Sequence, residues 1–132
     1  MKITADTNVL VRAMIGDDEQ QSALAQSELA AAELVAIALP SLCELVWVLS
    51  QGYKIASDEI ADAVRRLTNA ANVVVNRPAV EAGLALLDAG GDFADGVIAY
   101  EGRWLGGETF VSFDKKAVKR LMAQSKAARL LE

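Results

Sequence analysis

The sequence contains no histidine and only one cysteine, Cys43. Without histidine there is no Ser-His-Asp triad, no Cys-His pair and no imidazole acid–base group. A zinc site of the usual Cys/His type is excluded for the same reason. Carboxylates are therefore the only plausible metal ligands, and oxygen ligands favour Mg²⁺ or Mn²⁺ and, less strongly, Ca²⁺. A single cysteine cannot form an internal disulfide, and Cys43 lies in an apolar run that predicts a small buried hydrophobic residue.

Long apolar runs and aromatic residues are also scarce. The longest apolar runs, at residues 34–41 and 45–49, are far shorter than the roughly 20 residues that a membrane helix needs. The N-terminus has the pattern of a strand and not that of a signal peptide, so we expect a cytoplasmic protein. Hydrophobic residues make up 53% of the chain but aromatic residues only 5%. This excess of Ala, Leu and Val suits close packing of helices on a sheet and leaves apolar surface for a protein partner.

Apolar runs alternate with helical periodicities along the whole chain, which is typical of an α/β fold in one domain, residues 1–132. Strands are predicted at residues 2–5, 34–39, 72–76 and 109–113, with a short edge strand at 128–131. Helices are predicted at residues 7–15, 17–32, 40–51, 57–71, 77–89, 92–105 and 117–124. Right-handed connections between parallel strands place the carboxyl ends of all strands along one edge of the sheet.

Five carboxylates fall where that edge is predicted: Asp6, Glu44, Asp92, Asp95 and Asp114. Asp6 and Asp114 directly follow predicted strands, whereas Glu44 and Asp95 lie about one turn inside helices and can lean back over the same edge. Without these five, 13 of the 18 acidic residues remain, equal to the number of Lys and Arg. The net charge of −5 thus equals the charge of this set. Clustered carboxylates repel one another unless a cation lies among them, so the pattern predicts a metal site.

Each acid also has a structural interpretation as a helix cap. Three would serve as N-caps: Asp6, Asp92 and Asp114. Asp95 would be the N3 acid of the helix that Asp92 opens, and Ser41-x-x-Glu44 has the form of a capping box. Helix caps, however, have no need to share one edge of a sheet. The capping interpretation therefore explains each residue singly, and the metal interpretation explains the set.

Other side chains near these acids are weaker candidates. A basic group next to Asp114 would contact an RNA phosphate backbone or would form a solvated helix face: Lys115, Lys116, Lys119 and Arg120. Arg12, on the helix that Asp6 opens, is a similar RNA-binding candidate. Asn8 and Ser112 would orient ligands or water, although turn chemistry explains both equally well. Trp47 and Trp104 are expected to be core or interface aromatics.

Four segments together resemble the PIN-domain ribonucleases, and in particular the VapC-type toxins of bacterial toxin–antitoxin pairs. They are ADTNVLVR at 5–12, LCELVWVL at 42–49, DFADGVIA at 92–99 and TFVSFDKK at 109–116. The resemblance covers essentially the whole chain in order. It departs from the family's usual pattern at Gly96, where alanine is frequent, and at Tyr100, which is bulkier than expected. A glycine inside a helix costs about 1 kcal/mol against alanine, so we expect Gly96 to loosen the helix that bears Asp95.

The resemblance implies a three-layer α/β/α fold in which helices flank a central parallel sheet of four to five strands. It implies a Mg²⁺-dependent endoribonuclease, with Mn²⁺ as a substitute, acting as the toxin of a type II toxin–antitoxin pair. The acidic quartet carried over from the family is Asp6, Glu44, Asp95 and Asp114, with Asp92 as an auxiliary acid. The implied partners are an RNA substrate, a cognate antitoxin and a second copy of the chain within a larger complex.

Two other classes of function remain open at the level of sequence. A phospho-acceptor regulatory domain also uses aspartates and Mg²⁺ at the end of a parallel sheet. It normally has a paired acid after the first strand, whereas Asp6 is followed by Thr7. A catalytically inactive PIN-like interaction module would keep the fold and the partner but cleave no RNA.

Overall fold

Seven α-helices and five short strands alternate along the chain in the computed structural model, which describes all of residues 1–132. The chain forms two compact units, Met1–Asn76 and Arg77–Glu132, here called the N-terminal unit and the C-terminal unit. Each unit contains parallel strands and the helices that follow them. No helix in the protein has the length and apolar character needed to cross a membrane.

The N-terminal unit contains a three-stranded parallel sheet in the order β1-β2-β3. Its elements are β1 (Lys2–Thr4), α1 (Thr7–Met14), α2 (Glu19–Ala31), β2 (Leu34–Ala36), α3 (Leu39–Trp47), a π-helical turn (Val48–Gly52), α4 (Ser57–Thr68) and β3 (Val73–Val74). The register places Ile3 beside Val35 and Val35 beside Val73. Val35 is fully buried, as expected for a central parallel strand that is apolar on both faces.

The C-terminal unit contains two paired helices and a two-stranded parallel sheet. Its elements are α5 (Arg77–Asp88), α6 (Phe93–Trp104), β4 (Phe110–Ser112), α7 (Lys115–Ala123) and β5 (Ala128–Leu130). β4 and β5 pair in parallel, with Val111 beside Arg129. The buried ring of Phe93 lies against Gly83 so closely that a Cβ on Gly83 would be 2.7 Å from a ring carbon. α5 and α6 therefore pack at a distance that only a glycine permits at this point.

The α/β fold with parallel strands is confirmed, and every predicted helix and strand is present with small shifts at its ends. Two details differ. The helix predicted at 40–51 is α-helical only to Trp47 and continues as the π-helical turn. The strands were expected in one sheet of four to five, whereas their hydrogen bonds form a set of three and a set of two. Hydrophobic periodicity specifies that a segment is a strand, but strand pairing depends on contacts distant in sequence.

Cys43 is more exposed than the sequence analysis predicted, whereas the two tryptophans were predicted to be either core or interface residues. Cys43 is only partly buried. Trp47 and Trp104 are 66% and 75% exposed, so neither belongs to the core. In Trp104 the indole Nε1–H donates a hydrogen bond of 3.0 Å to the Tyr100 hydroxyl, one turn earlier on α6. Burial of this kind depends on which helix face packs inward, and apolar runs shorter than two turns do not specify that face.

Candidate active site

Asp6 is the N-cap of α1 and directly follows β1. Its Oδ1 accepts a hydrogen bond of 2.9 Å from the Thr7 backbone N–H. Backbone pairing continues just past β1, because the Ala5 N–H donates to the Ala36 carbonyl oxygen. Asp6 therefore lies at the carboxyl end of the parallel strand β1, as predicted. The side chain is exposed and its second carboxylate oxygen makes no hydrogen bond, so capping uses only part of its capacity as an acceptor.

Glu44 lies on α3, which packs against α1 within the same unit. The N-cap of α3 is Ala38, and the Ser41 N–H donates to the Ala38 carbonyl oxygen. The capping box proposed for Ser41 and Glu44 is thus wrong, because Ser41 already lies inside the helix. Glu44 is in the second turn, exposed, and makes no hydrogen bond or ion pair. Its carboxylate has no structural partner in the protein, although the buried Leu45 beside it anchors the helix.

In the C-terminal unit Asp92 and Asp114 both act as N-caps. Asp92 Oδ1 accepts from the Ala94 N–H at 3.2 Å, at the start of α6. Asp114 Oδ1 accepts from the N–H groups of Lys116 and Ala117 at 2.9 and 3.2 Å, at the start of α7. Each cap uses one oxygen of its carboxylate. The capping interpretation is therefore correct for both residues and leaves one oxygen of each available to a cation.

Asp95 differs from these caps because it is partly buried and its carboxylate accepts no hydrogen bond, although its backbone N–H donates to the Asp92 carbonyl oxygen at 3.1 Å. Burial, followed by repulsion from Asp92 and then from Asp114, raises the pKa of Asp95. Asp92 and Asp114 thus lie close enough to Asp95 in the C-terminal unit to repel its negative charge. None of the three forms an ion pair with a basic side chain. Their charge is uncompensated by the protein, which is the condition that a bound divalent cation relieves.

The chemistry of these side chains fits a hard divalent cation, since every available donor is a carboxylate oxygen. The side chains thus suit such a cation by the chemical type of their donor atoms. No three acidic or cysteine side chains converge as a preformed metal-binding group.

The predicted polar neighbours of the acids have mixed outcomes. Ser112 Oγ accepts a hydrogen bond of 3.0 Å from the Asp114 N–H, so it supports the backbone of that residue. Asn8 is exposed on α1, two residues after Asp6. Three of the predicted RNA-binding residues are exposed on the first turns of α7: Lys115, Lys116 and Lys119.

The remaining two predicted RNA-binding residues contact other parts of the protein. The Arg12 guanidinium forms an ion pair of 2.9 Å with Asp17 Oδ1. Asp17 Oδ2 accepts a hydrogen bond of 3.0 Å from the Tyr53 hydroxyl. This hydrogen bond, followed by desolvation and then by the charge of Asp17, raises the pKa of Tyr53. The side chain of Arg120 lies beside Gly90 and Gly91. Sequence analysis missed the link from Asp17 to Tyr53, since partners 36 residues apart leave no local signal.

Two cavities lie apart from these acids. One, of about 330 Å³, is in the C-terminal unit and is bordered by Tyr100, Phe110 and Leu121. The other, of about 510 Å³, is in the N-terminal unit and is bordered by Met14, Leu49 and other side chains. None of the five predicted acids lines either cavity. The candidate catalytic residues are therefore not enclosed by either cavity.

Comparison with known families agrees with this arrangement of parallel strands followed by acid-capped helices. Residues 3–121 match the PIN domain family, a span that includes all five acids. The chain therefore belongs to the PIN domain family. No curated protein matches the sequence. PIN domains are generally nuclease domains and typically depend on a metal ion, so membership sets aside the phospho-acceptor alternative.

Proposed function

We propose that this protein is a Mg²⁺-dependent endoribonuclease and the toxin of a bacterial toxin–antitoxin pair. The observation that carries the proposal is the environment of Asp95, which lies partly buried near Asp92 and Asp114 with no basic partner. A purely structural acid in such a position would destabilise the fold without benefit. In a PIN domain, the same environment suits a carboxylate that binds a catalytic cation.

Four carboxylates are proposed to act in the reaction: Asp6, Glu44, Asp95 and Asp114. Asp6 and Asp95 are proposed as direct ligands, and Glu44 and Asp114 as residues that act through water. A bound Mg²⁺ lowers the pKa of a water molecule and stabilises charge on phosphate oxygens. The carboxylates hold and orient water for attack in line with the scissile P–O bond, and they accept hydrogen bonds from it. Asp92 is proposed as an auxiliary acid, Ser112 as a support for Asp114, and Asn8 as a residue that orients water.

The substrate is proposed to be RNA, guided by local basic residues because the net charge of the protein is −5. Lys115, Lys116 and Lys119 are exposed beside Asp114 and would contact phosphate groups on either side of the cut. Such contacts would weaken as the salt concentration rises. Arg12 is already paired with Asp17, so its contact with RNA stays a prediction of the sequence alone.

The proposed partners are a cognate antitoxin and a second copy of the chain, acting in the cytoplasm. Exposed apolar side chains support extensive protein contacts: Leu24, Trp47, Ile98, Trp104, Leu105, Phe113 and Met122. The antitoxin would lay an apolar segment on the toxin and direct an arginine toward the acidic residues, displacing the metal.

RNA cleavage by the purified protein tests the nuclease proposal. The protein should cut RNA in Mg²⁺ or Mn²⁺ and stop when a chelator is added. Asp6→Asn prepared in parallel controls for contaminating ribonuclease. Cleavage that continues in excess chelator would exclude the metal mechanism, and no cleavage with either metal would favour an inactive interaction module.

Growth after induction tests the toxin proposal separately. Expression of the protein alone should arrest growth, and co-expression with a small neighbouring gene should restore growth and allow both proteins to be purified together. A protein that cleaves RNA in vitro but is harmless at high expression, with no retained partner, would be a nuclease and not a toxin.

A further inference from the structure

The turn between α5 and α6 is covered by a side chain from α7. Gly90 has φ +88°, and the N–H groups of Gly90 and Gly91 donate to the carbonyl oxygens of Leu87 and Leu86. This is the Schellman arrangement that ends an α-helix, and it needs the left-handed conformation that glycine provides. Two residues later Asp92 caps α6. The geometry of this turn therefore sets where α6 begins and where Asp92 and Asp95 lie.

Arg120 lies directly on this turn. A methyl group placed on Gly91 would be 3.0 Å from Arg120 Cδ, and one placed on Gly90 would be 3.6 Å from Arg120 Nη2. The aliphatic part of Arg120 thus packs on Gly91, and its guanidinium lies beside Gly90. Arg120 is partly buried, in contrast to the exposed Lys119 next to it. The two glycines leave the space that this side chain fills.

The charge of Arg120 suits its position. The C-terminal end of α5 is the negative end of its helix dipole, and α5 has no basic residue in its own last turn. Arg120 brings a positive charge to this end from α7. A second contact joins the same helices, because Gln124 Nε2 donates to the Ala85 carbonyl oxygen at 3.0 Å. Arg120 thus connects α7 to the turn after α5, and Gln124 connects α7 to the last turn of α5 itself.

We infer that Arg120 is a positioning residue, which holds the α5–α6 turn on α7 and so fixes Asp92 and Asp95 relative to Asp114. Asp114 is the N-cap of α7, the helix that carries Arg120. The same helix therefore bears one of the three carboxylates and the side chain that would position Asp92 and Asp95. The inference rests on the proposed function where it concerns metal binding. In this inference Arg120 stabilises the α5–α6 turn, whereas the sequence analysis predicted that it contacts RNA.

Three variants separate these roles. Arg120→Met keeps much of the aliphatic packing and removes the charge, whereas Arg120→Lys keeps both a stem and a charge. Lys119→Met removes a neighbouring exposed charge on α7. Amide hydrogen exchange at residues 89–96, measured without metal, reports on the turn directly. Titration with Mn²⁺ alone reports on the carboxylates without RNA.

We expect Arg120→Met to speed exchange at Gly90 and Gly91 by about two- to fivefold, the range that a charge at a helix end supports. Mn²⁺ affinity should weaken by a similar factor. Arg120→Lys should restore most of both values, and Lys119→Met should leave the exchange at 89–96 unchanged. Unchanged exchange in Arg120→Met, or equal acceleration in Lys119→Met, would overturn the positioning role.

RNA binding measured against salt concentration distinguishes the rival role of Arg120. If Arg120 contacts a phosphate group, replacing it should reduce the slope of log binding constant against log salt concentration by about one. Amide exchange at residues 89–96 should then be unaltered. That result would overturn the inference. If the wild-type protein binds no Mn²⁺, the proposed metal-dependent function fails, while the exchange measurement still decides whether Arg120 holds the turn.

Discussion

Gly96 on α6 lies so close to the Ala82 carbonyl oxygen on α5 that a Cβ at this position would overlap that oxygen. The helix that bears Asp95 therefore depends on glycine for its close approach to α5. The expectation that Gly96 loosens this helix stays a prediction, but the close approach to α5 gives the glycine a packing role that the sequence analysis did not foresee. Backbone atoms block a side chain here, and they cannot move aside as a flexible side chain can.

The first prediction compares two glycines of α6. Gly96→Ala should lower the free energy of unfolding by about 1–2 kcal/mol, because the cost of overpacking, about 1–3 kcal/mol, exceeds the helix-propensity gain of up to about 1 kcal/mol. Gly102→Ala is the matched control, since no atom lies within 4 Å of a Cβ placed there. It should raise stability by up to about 1 kcal/mol. Denaturant unfolding measures both, and stabilisation by Gly96→Ala would contradict the close packing.

The second prediction separates the two roles of Asp6. Asparagine caps helices about as well as aspartate, so Asp6→Asn should change stability by less than about 0.5 kcal/mol. Loss of a direct ligand should reduce RNA cleavage by more than about 100-fold, beyond the usual effect of altering a residue that only supports a ligand. Asp18 caps α2 through a bond of 3.0 Å to the Gln21 N–H and serves as the control. Asp18→Asn should keep both stability and cleavage. Near-normal cleavage by Asp6→Asn would leave Asp6 as a cap alone.

The third prediction concerns stability and pH at Asp95. Burial and the neighbouring carboxylates raise the pKa of Asp95, so the folded protein holds this proton more tightly than the unfolded chain does. The unfolding free energy therefore falls as pH rises from the unfolded pKa of about 3.9 through the folded pKa. In chelator, Asp95→Asn should melt at a higher temperature than wild type at pH 7. This advantage should shrink as pH falls toward 4.

Metal should reverse that order. A ligand that binds only the folded protein stabilises it by an amount that rises with the logarithm of the ratio of ligand concentration to Kd, and Mg²⁺ should act in this way. Saturating Mg²⁺ should raise the melting temperature of wild type well above that of Asp95→Asn. Asp92→Asn should reduce cleavage less than Asp95→Asn, because Asp92 is proposed as auxiliary. The opposite order of activities would make Asp92 the principal acid of α6.

The fourth prediction tests Glu44. The side chain has no partner in the protein, so Glu44→Gln should fold with unchanged stability. If Glu44 acts through water, cleavage should fall by about 10–100-fold and the Mg²⁺ concentration needed for half-maximal rate should rise. Glu28→Gln, an exposed acid on α2, is the control and should leave cleavage unchanged. Equal cleavage by the Glu44 and Glu28 variants would remove Glu44 from the proposed quartet.

The sequence by itself determined the order of helices and strands, because hydrophobic periodicity and helix caps are local signals. Asp6, Asp92 and Asp114 were each predicted at a helix start, and each caps its helix. The missing histidines and the spacing of the acids likewise restricted the chemistry to carboxylates. These features need no knowledge of which segments meet in space.

Only the tertiary structure decided which of these residues influence one another. The raised pKa of Asp95 requires Asp92 and Asp114 to be near it, and the roles of Gly96 and Arg120 depend on helices that pack across the C-terminal unit. Ser41 has no capping role because α3 begins at Leu39, with Ala38 as its N-cap. Contacts between segments distant in sequence depend on side-chain packing and backbone approach, which leave little trace in local periodicity.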